Sequence, residues 1–228
     1  LLLASNWQAE MLFFEESFLE KQAAQHLMTQ GGKAQLFSVT EAVIRKIATT
    51  DSPCPVVAVA RCSFQPLETL RFQPGSLFII AHRTSDPGNL GTLLRVASAA
   101  GAEAVFVTGD ACDASNPKVV RSSMGALFHV PVILEPAIHR VLEKLKAAGV
   151  RIIAAEPSAG TLYTEVAYPS GAAFVLGEEA EGLDAPLLAE TDERVRIPVA
   201  GPVESLNVAI SGAILLYEAQ RQKGRRSC

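Results

Sequence analysis

Three stretches of this chain place glycine, proline and polar side chains where an ordinary core would carry helix formers. The first is Asp86-Pro87-Gly88-Asn89-Leu90-Gly91-Thr92-Leu93-Leu94-Arg95, a loop that runs from an apolar segment straight into a helical pattern. Such a junction points unpaired backbone N–H groups at a helix start, where an anion can be held. Arg95, further along, could project toward the same mouth, although a capped helix with an exposed arginine accounts for the pattern equally. The second stretch, Phe174-Val175-Leu176-Gly177-Glu178-Glu179-Ala180-Glu181-Gly182-Leu183, is a buried-strand pattern that ends in glycine and carboxylates. Ligand sites of parallel sheets lie at that edge, and a solvated acidic turn would read the same way. The third is Arg196-Ile197-Pro198-Val199-Ala200-Gly201-Pro202-Val203-Glu204-Ser205-Leu206-Asn207, a Pro/Gly-rich loop entering a helix whose first turn holds Ser205 and Asn207. Either residue is an ordinary N-cap; together, after a loop whose backbone could line a pocket, they also suit a nucleotide-like ligand.

The elements that must position these loops alternate in type. Segments 77–81, 104–108, 131–134, 151–155 and 172–176 read as strands, and 90–100, 138–148 and 206–222 as helices. That order predicts an α/β domain with a parallel sheet covered on both faces. Ahead of it, 11–15, 35–39 and 55–60 read as strands. Between them, 18–30 reads as a helix in which Phe18, Ala24, Leu27 and Met28 share a face and Gly31-Gly32 is the stop, and 41–48 as a helix capped by Thr40. The turn-forming stretch 63–75 carries no periodicity and reads as a linker. The expected organisation is a small domain over 1–62, a linker over 63–75 and a larger domain over 76–228.

The 228 residues, 49% of them hydrophobic, suffice for packed cores. A net charge of −4 argues against a uniformly basic, non-specific nucleic-acid binder but leaves room for a local patch. The longest apolar runs, such as 172–176 and 210–216, are too short to cross a bilayer, and no basic segment followed by an apolar one opens the chain. No membrane partner and a cytoplasmic location are expected. Cys54, Cys62, Cys112 and Cys228 show no C-x-x-C pairing and no neighbouring histidine cluster, so free thiols and no metal site are expected.

Jointly, the three stretches resemble the motifs of the SpoU (TrmH-like) branch of the SPOUT superfamily, RNA 2′-O-ribose methyltransferases. Residues 86–101 resemble the first motif, with Asn89 and Arg95 in the matching places, and 174–183 the second. Residues 196–218 resemble the third, including Glu204-Ser205-Leu206-Asn207 and Leu216-Tyr217-Glu218. The intervening Lys118-Val119-Val120-Arg121-Ser122-Ser123-Met124-Gly125-Ala126 is also typical, and the resemblance spans 76–222. Many relatives carry Gly-Asn-Glu in the second motif; this chain has Gly177-Glu178-Glu179, which keeps the glutamate at 179 and assigns Glu178 a solvent-facing place by default.

The resemblance implies methyl transfer from S-adenosyl-L-methionine to a ribose 2′-hydroxyl of tRNA or rRNA, a deep C-terminal trefoil knot, and a homodimer in which Arg95 reaches the partner's donor pocket. It implies Ala155, Glu156, Leu176, Gly177, Ile197, Pro198, Ser205, Leu206 and Asn207 as the donor cradle. It implies Arg95, Asn89, Glu179, Asn207 and Ser205 as the catalytic set, with no metal because a sulfonium is already an activated leaving group. A guanidinium keeps its proton at ordinary pH, so Arg95 is expected to stabilise a developing alkoxide and grip the adjacent phosphate instead of acting as a base. On the last helix, Val208, Ile210, Leu215 and Leu216 offer a dimer face or, equally, part of the monomer core.

The N-terminal layer resembles, through its element order and 56–60, the L30e-like α/β domain with which many SpoU enzymes bind structured RNA. Lys33, Arg45, Lys46, Arg83, Lys118 and Arg121, with Lys223, Arg225 and Arg226 of the tail, are the expected RNA-facing cations. A non-enzymatic RNA-binding or ribosome-assembly factor is the rival reading, but it would not need Arg95 and Asn207 together. An antibiotic-resistance methyltransferase would share the chemistry and differ in target. A generic nucleotide-binding enzyme is disfavoured, because no GxGxxG or GxxxxGKS/T follows any expected strand.

Overall fold

A computed structural model of the chain describes residues 1–50, 52–73, 75–168, 171–178 and 182–224. The chain divides into two compact units, Leu1–Ser63 and Phe64–Cys228.

The first unit has strands β1 (Gln8–Glu15), β2 (Gln35–Val39) and β3 (Val56–Arg61) and helices α1 (Gln22–Gln30) and α2 (Glu41–Ile47). Central β1 runs parallel to β2 and antiparallel to β3. Leu12 and Phe14, two residues apart and so on one face, bury with Ala24 of α1, and Phe18, Leu27 and Met28 pack onto them. The expected helix over 18–30 is divided: Glu16–Phe18 forms a 3-10 turn, and extended Lys21 precedes α1. Elsewhere in the sheet Phe13 stacks on its register neighbour Phe37, ring centroids 4.9 Å apart.

The second unit runs β4 (Leu77–His82), α3 (Pro87–Ala99), β5 (Ala104–Thr108), α4 (Pro117–Ser122), β6 (Val132–Leu134), α5 (Ile138–Ala147), β7 (Arg151–Ala155), β8 (Thr161–Leu162), β9 (Ala172–Leu176), α6 (Ala185–Ala189), β10 (Glu193–Arg196) and α7 (Val208–Gly224). Its sheet has the order β6-β5-β4-β9-β7-β10-β8, with every pairing parallel. Strands β4, β5 and β9 are buried along their whole length, as continuous apolar runs require when both faces are covered. On one face Phe78, Ile80, Phe106, Ile152 and Val175 pack against Val141, Leu142 and Leu145 of α5. On the other lie α3 and α7, which touch closely because Gly212 has no side chain: a Cβ there would stand 2.5 Å from Leu93 Cδ1 and 3.1 Å from Leu176 Cδ1.

Several expectations change. Residues 64–75 are not free chain: Leu67 is buried in the core, Leu70 and Phe72 pack against it, and Gln65 N donates to Val132 O at 3.0 Å. Helix α3 starts at Pro87, with Asp86 as its cap and the proline ring presetting the first turn. Helices α4 and α6 and strands β8 and β10 lie outside the expected elements. Helix α7 starts at Val208, so Ser205 and Asn207 precede it. Its Val208, Leu215 and Leu216 are buried in this chain's own core, whereas Ile210 stays 49% exposed. Among the described residues no helix is long and apolar enough to cross a membrane.

Candidate active site

The loops that follow β4, β7, β9 and β10 open at one edge of the sheet, its carboxyl end, where parallel sheets hold their ligands. Between them lies a cleft. It is lined by Ala155, Glu156 and Pro157 after β7, by Leu176, Gly177, Glu178 and Gly182 after β9, and by Val195, Ile197 and Val199 around β10. Glu204, Ser205 and Leu206 of the following loop, with Val208 and Ser211 of α7, complete the wall. Of the expected cradle, Ala155, Glu156, Leu176, Gly177, Ile197, Ser205 and Leu206 therefore meet in one place; Pro198 and Asn207 do not line it. The turn after β9 closes because Gly182 N donates to Glu178 O at 2.9 Å, with Gly182 at φ +69. A Cβ on Gly177 would lie 2.5 Å from Gly182 O, so the turn requires glycine there.

Beside the cleft, the starts of α3 and α7 are joined side chain to side chain. Asp86 Oδ1 accepts from Asn89 N at 2.9 Å and its Oδ2 meets Lys118 Nζ at 3.1 Å. The Asn89 amide first, and then the Lys118 ammonium, hold the Asp86 carboxyl below its ordinary value. Asn89 Oδ1 in turn accepts from Asn207 Nδ2 at 2.8 Å. Glu178 Oε1 accepts from Ser85 Oγ at 3.2 Å, so this glutamate is a bonded wall residue and not merely solvent-facing. Arg95 stands exposed on α3, lines neither this cleft nor the space beside Asn89, and has no hydrogen-bond or ion-pair partner among the described residues. Glu179 lies outside the described residues.

The model of the SpoU rRNA Methylase family matches residues 76–217. The chain belongs to this SpoU family. Among its relatives, an uncharacterised tRNA/rRNA methyltransferase of Synechocystis is 38% identical over 88% of this chain and 72% of that one. RlmP of Bacillus subtilis, a 23S rRNA guanosine 2′-O-methyltransferase, is 35% identical over 80% of this chain and 71% of its own length. An AdoMet-bound rRNA methyltransferase from Sinorhizobium meliloti superposes with a TM-score of 0.85 at 32% identity, over 95% of this chain and 81% of that one.

The SpoU cleft fits S-adenosylmethionine on its own chemistry. Leu176, Val195, Ile197, Val199 and Leu206 provide apolar surface for a purine, and the surrounding loops offer backbone amides and carbonyls for its edge. Glu156, Glu178 and Glu204 place negative charge around it, and among the described residues no lining side chain is cationic. A ligand carrying a sulfonium and an ammonium suits that field, and a phosphate-rich nucleotide does not.

The expected RNA-facing cations of this SpoU protein are unequally placed. In the first unit Lys33 and Lys46 are exposed, and Arg45 pairs with Glu41 at 2.6 Å. In the second, Lys118 pairs with Asp86 and Arg83 lies 3.8 Å from Asp184, exposed pairs that a phosphate could replace at little expense. Arg121 is exposed and keeps a further interaction of its own. Burial pushes the Lys223 ammonium down, with the Glu103 carboxylate opposing, and Arg225 and Arg226 lie outside the described residues. Among the described residues no group of His, Cys, Asp or Glu could hold a metal ion. Val195 and Val199 were not anticipated in the site because β10 itself was not; Ser211, one turn beyond Asn207, could have been found from helical spacing alone.

Proposed function

We infer that this protein transfers the methyl group of S-adenosylmethionine to a ribose 2′-hydroxyl of RNA, with ribosomal RNA as its substrate class. The observation that carries the reading is the cleft framed by 155–157, 176–178 and 197–206: apolar walls and carboxylates, with no cation among the described lining residues, on a chain of the SpoU family. When bound, the cofactor supplies a methyl group on a positively charged sulfur, which leaves as a neutral thioether. The chain's part is to hold that group, exclude water and meet the charge that develops on the attacking oxygen.

Arg95 meets that charge in a homodimer, reaching the cleft of the second subunit. Its exposure, its lack of a hydrogen-bond or ion-pair partner among the described residues and its absence from the lining of its own cleft support this role. Exposed Ile210 and Tyr217, spaced to share a face of the α7 helix that packs on α3, supply the apolar contact. Ser205 holds the donor, and Asn89 and Asn207 set the loop geometry; Glu179, which the resemblance adds to this set, lies outside the described residues. The C-terminal part is a trefoil knot, a reading supported by β9 lying between β4 and β7 while α7 returns to pack on β4 and β9. The first unit, within 1–62, is an L30e-like RNA-recruiting domain, and the protein works in the cytoplasm without metal.

Calorimetry with S-adenosylmethionine, followed by incubation with ribosomal RNA and mass spectrometry of the digested nucleosides, tests this. Donor binding with a new 2′-O-methylnucleoside is expected. RNA binding with neither donor binding nor methylation would instead favour the assembly-factor reading.

A further inference from the structure

Two half-buried glutamates that line the donor cleft, Glu156 and Glu178, carry charge that no neighbouring cation cancels. Glu156 Oε1 accepts from Ser158 N at 3.3 Å and from Ser158 Oγ at 2.9 Å, and Glu178 Oε1 accepts from Ser85 Oγ at 3.2 Å. All three donors are neutral, and neither glutamate forms an ion pair among the described residues. These bonds hold the carboxylates in place without neutralising them. Glu204 adds a third carboxylate from an exposed position, where water screens it more strongly. Leu176 and Val195, each 1% exposed, line the same cleft, and apolar walls strengthen Coulomb forces across it.

Charge fixed in a partly desolvated cleft without a counterion favours a ligand that brings positive charge. S-adenosylmethionine and its by-product S-adenosylhomocysteine share the adenosine and a zwitterionic amino acid, and differ by one methyl group and one positive charge on sulfur. Transfer erases that charge: the S–CH3 bond breaks, its electron pair stays on sulfur, and the ribose oxygen takes the methyl as its proton passes to solvent. We propose that Glu156 and Glu178 make the cleft a charge filter, which holds the cationic donor and releases the neutral by-product, so that turnover resists product inhibition. The proposal rests on the reading of this cleft as the donor site. Coulomb attraction acts across the cleft and requires no direct contact between carboxylate and sulfur. A guanidinium arriving from a second subunit would offset one of these charges and leave the lining acidic.

Calorimetry on the full chain tests it, with S-adenosylmethionine, S-adenosylhomocysteine and sinefungin, which carries a protonated amine in place of the sulfonium. The parent is expected to bind both cationic ligands about tenfold or more tighter than the neutral one. The double variant Glu156→Gln/Glu178→Gln keeps the serine bonds, because an amide oxygen accepts as a carboxylate does. It should bring that ratio to about threefold or less, with S-adenosylhomocysteine affinity within about threefold of the parent's. Raising salt from about 0.05 M to about 0.5 M should narrow the ratio of the parent in the same direction. Equal affinities in the parent, a ratio that neither salt nor the double variant moves, or a loss shared equally by all three ligands overturns the charge filter and leaves the donor site standing. A parent that binds none of the three overturns the donor reading together with it.

Discussion

Asn207 Nδ2 donates to Asn89 Oδ1 at 2.8 Å, across 118 positions of sequence, and fastens the start of α7 to the start of α3. The cap sets the direction. Asn207 Oδ1 accepts from the amides of Ala209 at 3.0 Å and Ile210 at 3.4 Å, which leaves the NH2 group to face Asn89. One side chain thus begins α7 and ties it to α3.

Asn207→Ala removes the bond to Asn89 and the two cap bonds from Ala209 and Ile210, and is expected to lower stability by about 1–2 kcal/mol. Asn89→Ala removes one and should lower it by about 1 kcal/mol or less. Asn207→Asp keeps a good cap but cannot donate, so methyl transfer should fall while stability is largely retained. Urea unfolding alongside turnover separates the three; equal turnover in Asn207→Asp and the parent would refute the tie between the bond and activity.

Gly177→Ala drives a methyl group to 2.5 Å from Gly182 O and 2.9 Å from Leu183 Cδ2. The turn must open, and donor affinity should fall about tenfold or more while the first unit is untouched. Calorimetry reads this directly; parental affinity would mean the turn plays no part in holding the donor.

Arg95→Lys keeps the charge and loses the planar fork. Turnover should drop about a hundredfold or more with donor affinity intact, in line with loss of an oxyanion-stabilising group. If Arg95 serves the neighbouring subunit, mixing Arg95→Ala with Gly177→Ala protein should restore about a quarter of parental activity, as random exchange of subunits gives one sound site in half the dimers. No recovery on mixing would place Arg95 in its own subunit's site.

His82 is buried, with Nδ1 2.9 Å from Thr108 Oγ1; burial first, and the Arg83 charge second, push its imidazole below 6.5. Folding therefore favours the neutral ring, and the unfolded chain binds more protons between the folded value and 6.5. Stability should rise with pH across that window and be lost as pH falls from 6.5 toward the folded value. Denaturant melts of His82→Gln should show a flatter profile there; the same slope in both proteins would assign it to other groups.

Much of this architecture is legible in the residues, and the failures have physical causes. Strand Ala172–Leu176 stands out because both faces are buried and the run is continuously apolar, and Arg151–Ala155 because its centre is. Strand Glu193–Arg196 escapes notice: Glu-Arg-Val-Arg shows one apolar residue, and Val195 alone is fully buried. The start of α3 at Pro87 is hard to read because Pro87 and Gly88 look like loop, although Pro at the first position after Asp is a start signal. The cleft residues were found through motif resemblance, which covers loops that periodicity cannot read.

The placement of β9 has a consequence for how the chain is made. Leu77 of β4 and Arg151 of β7 both pair with Ala172, so neither strand meets this central neighbour until the ribosome has extended the chain well past them. Parallel pairing over such separations is slow and leaves apolar edges open in the meantime. Nascent chains stalled before Ala172 should therefore be the aggregation-prone, chaperone-dependent species in this protein's biogenesis.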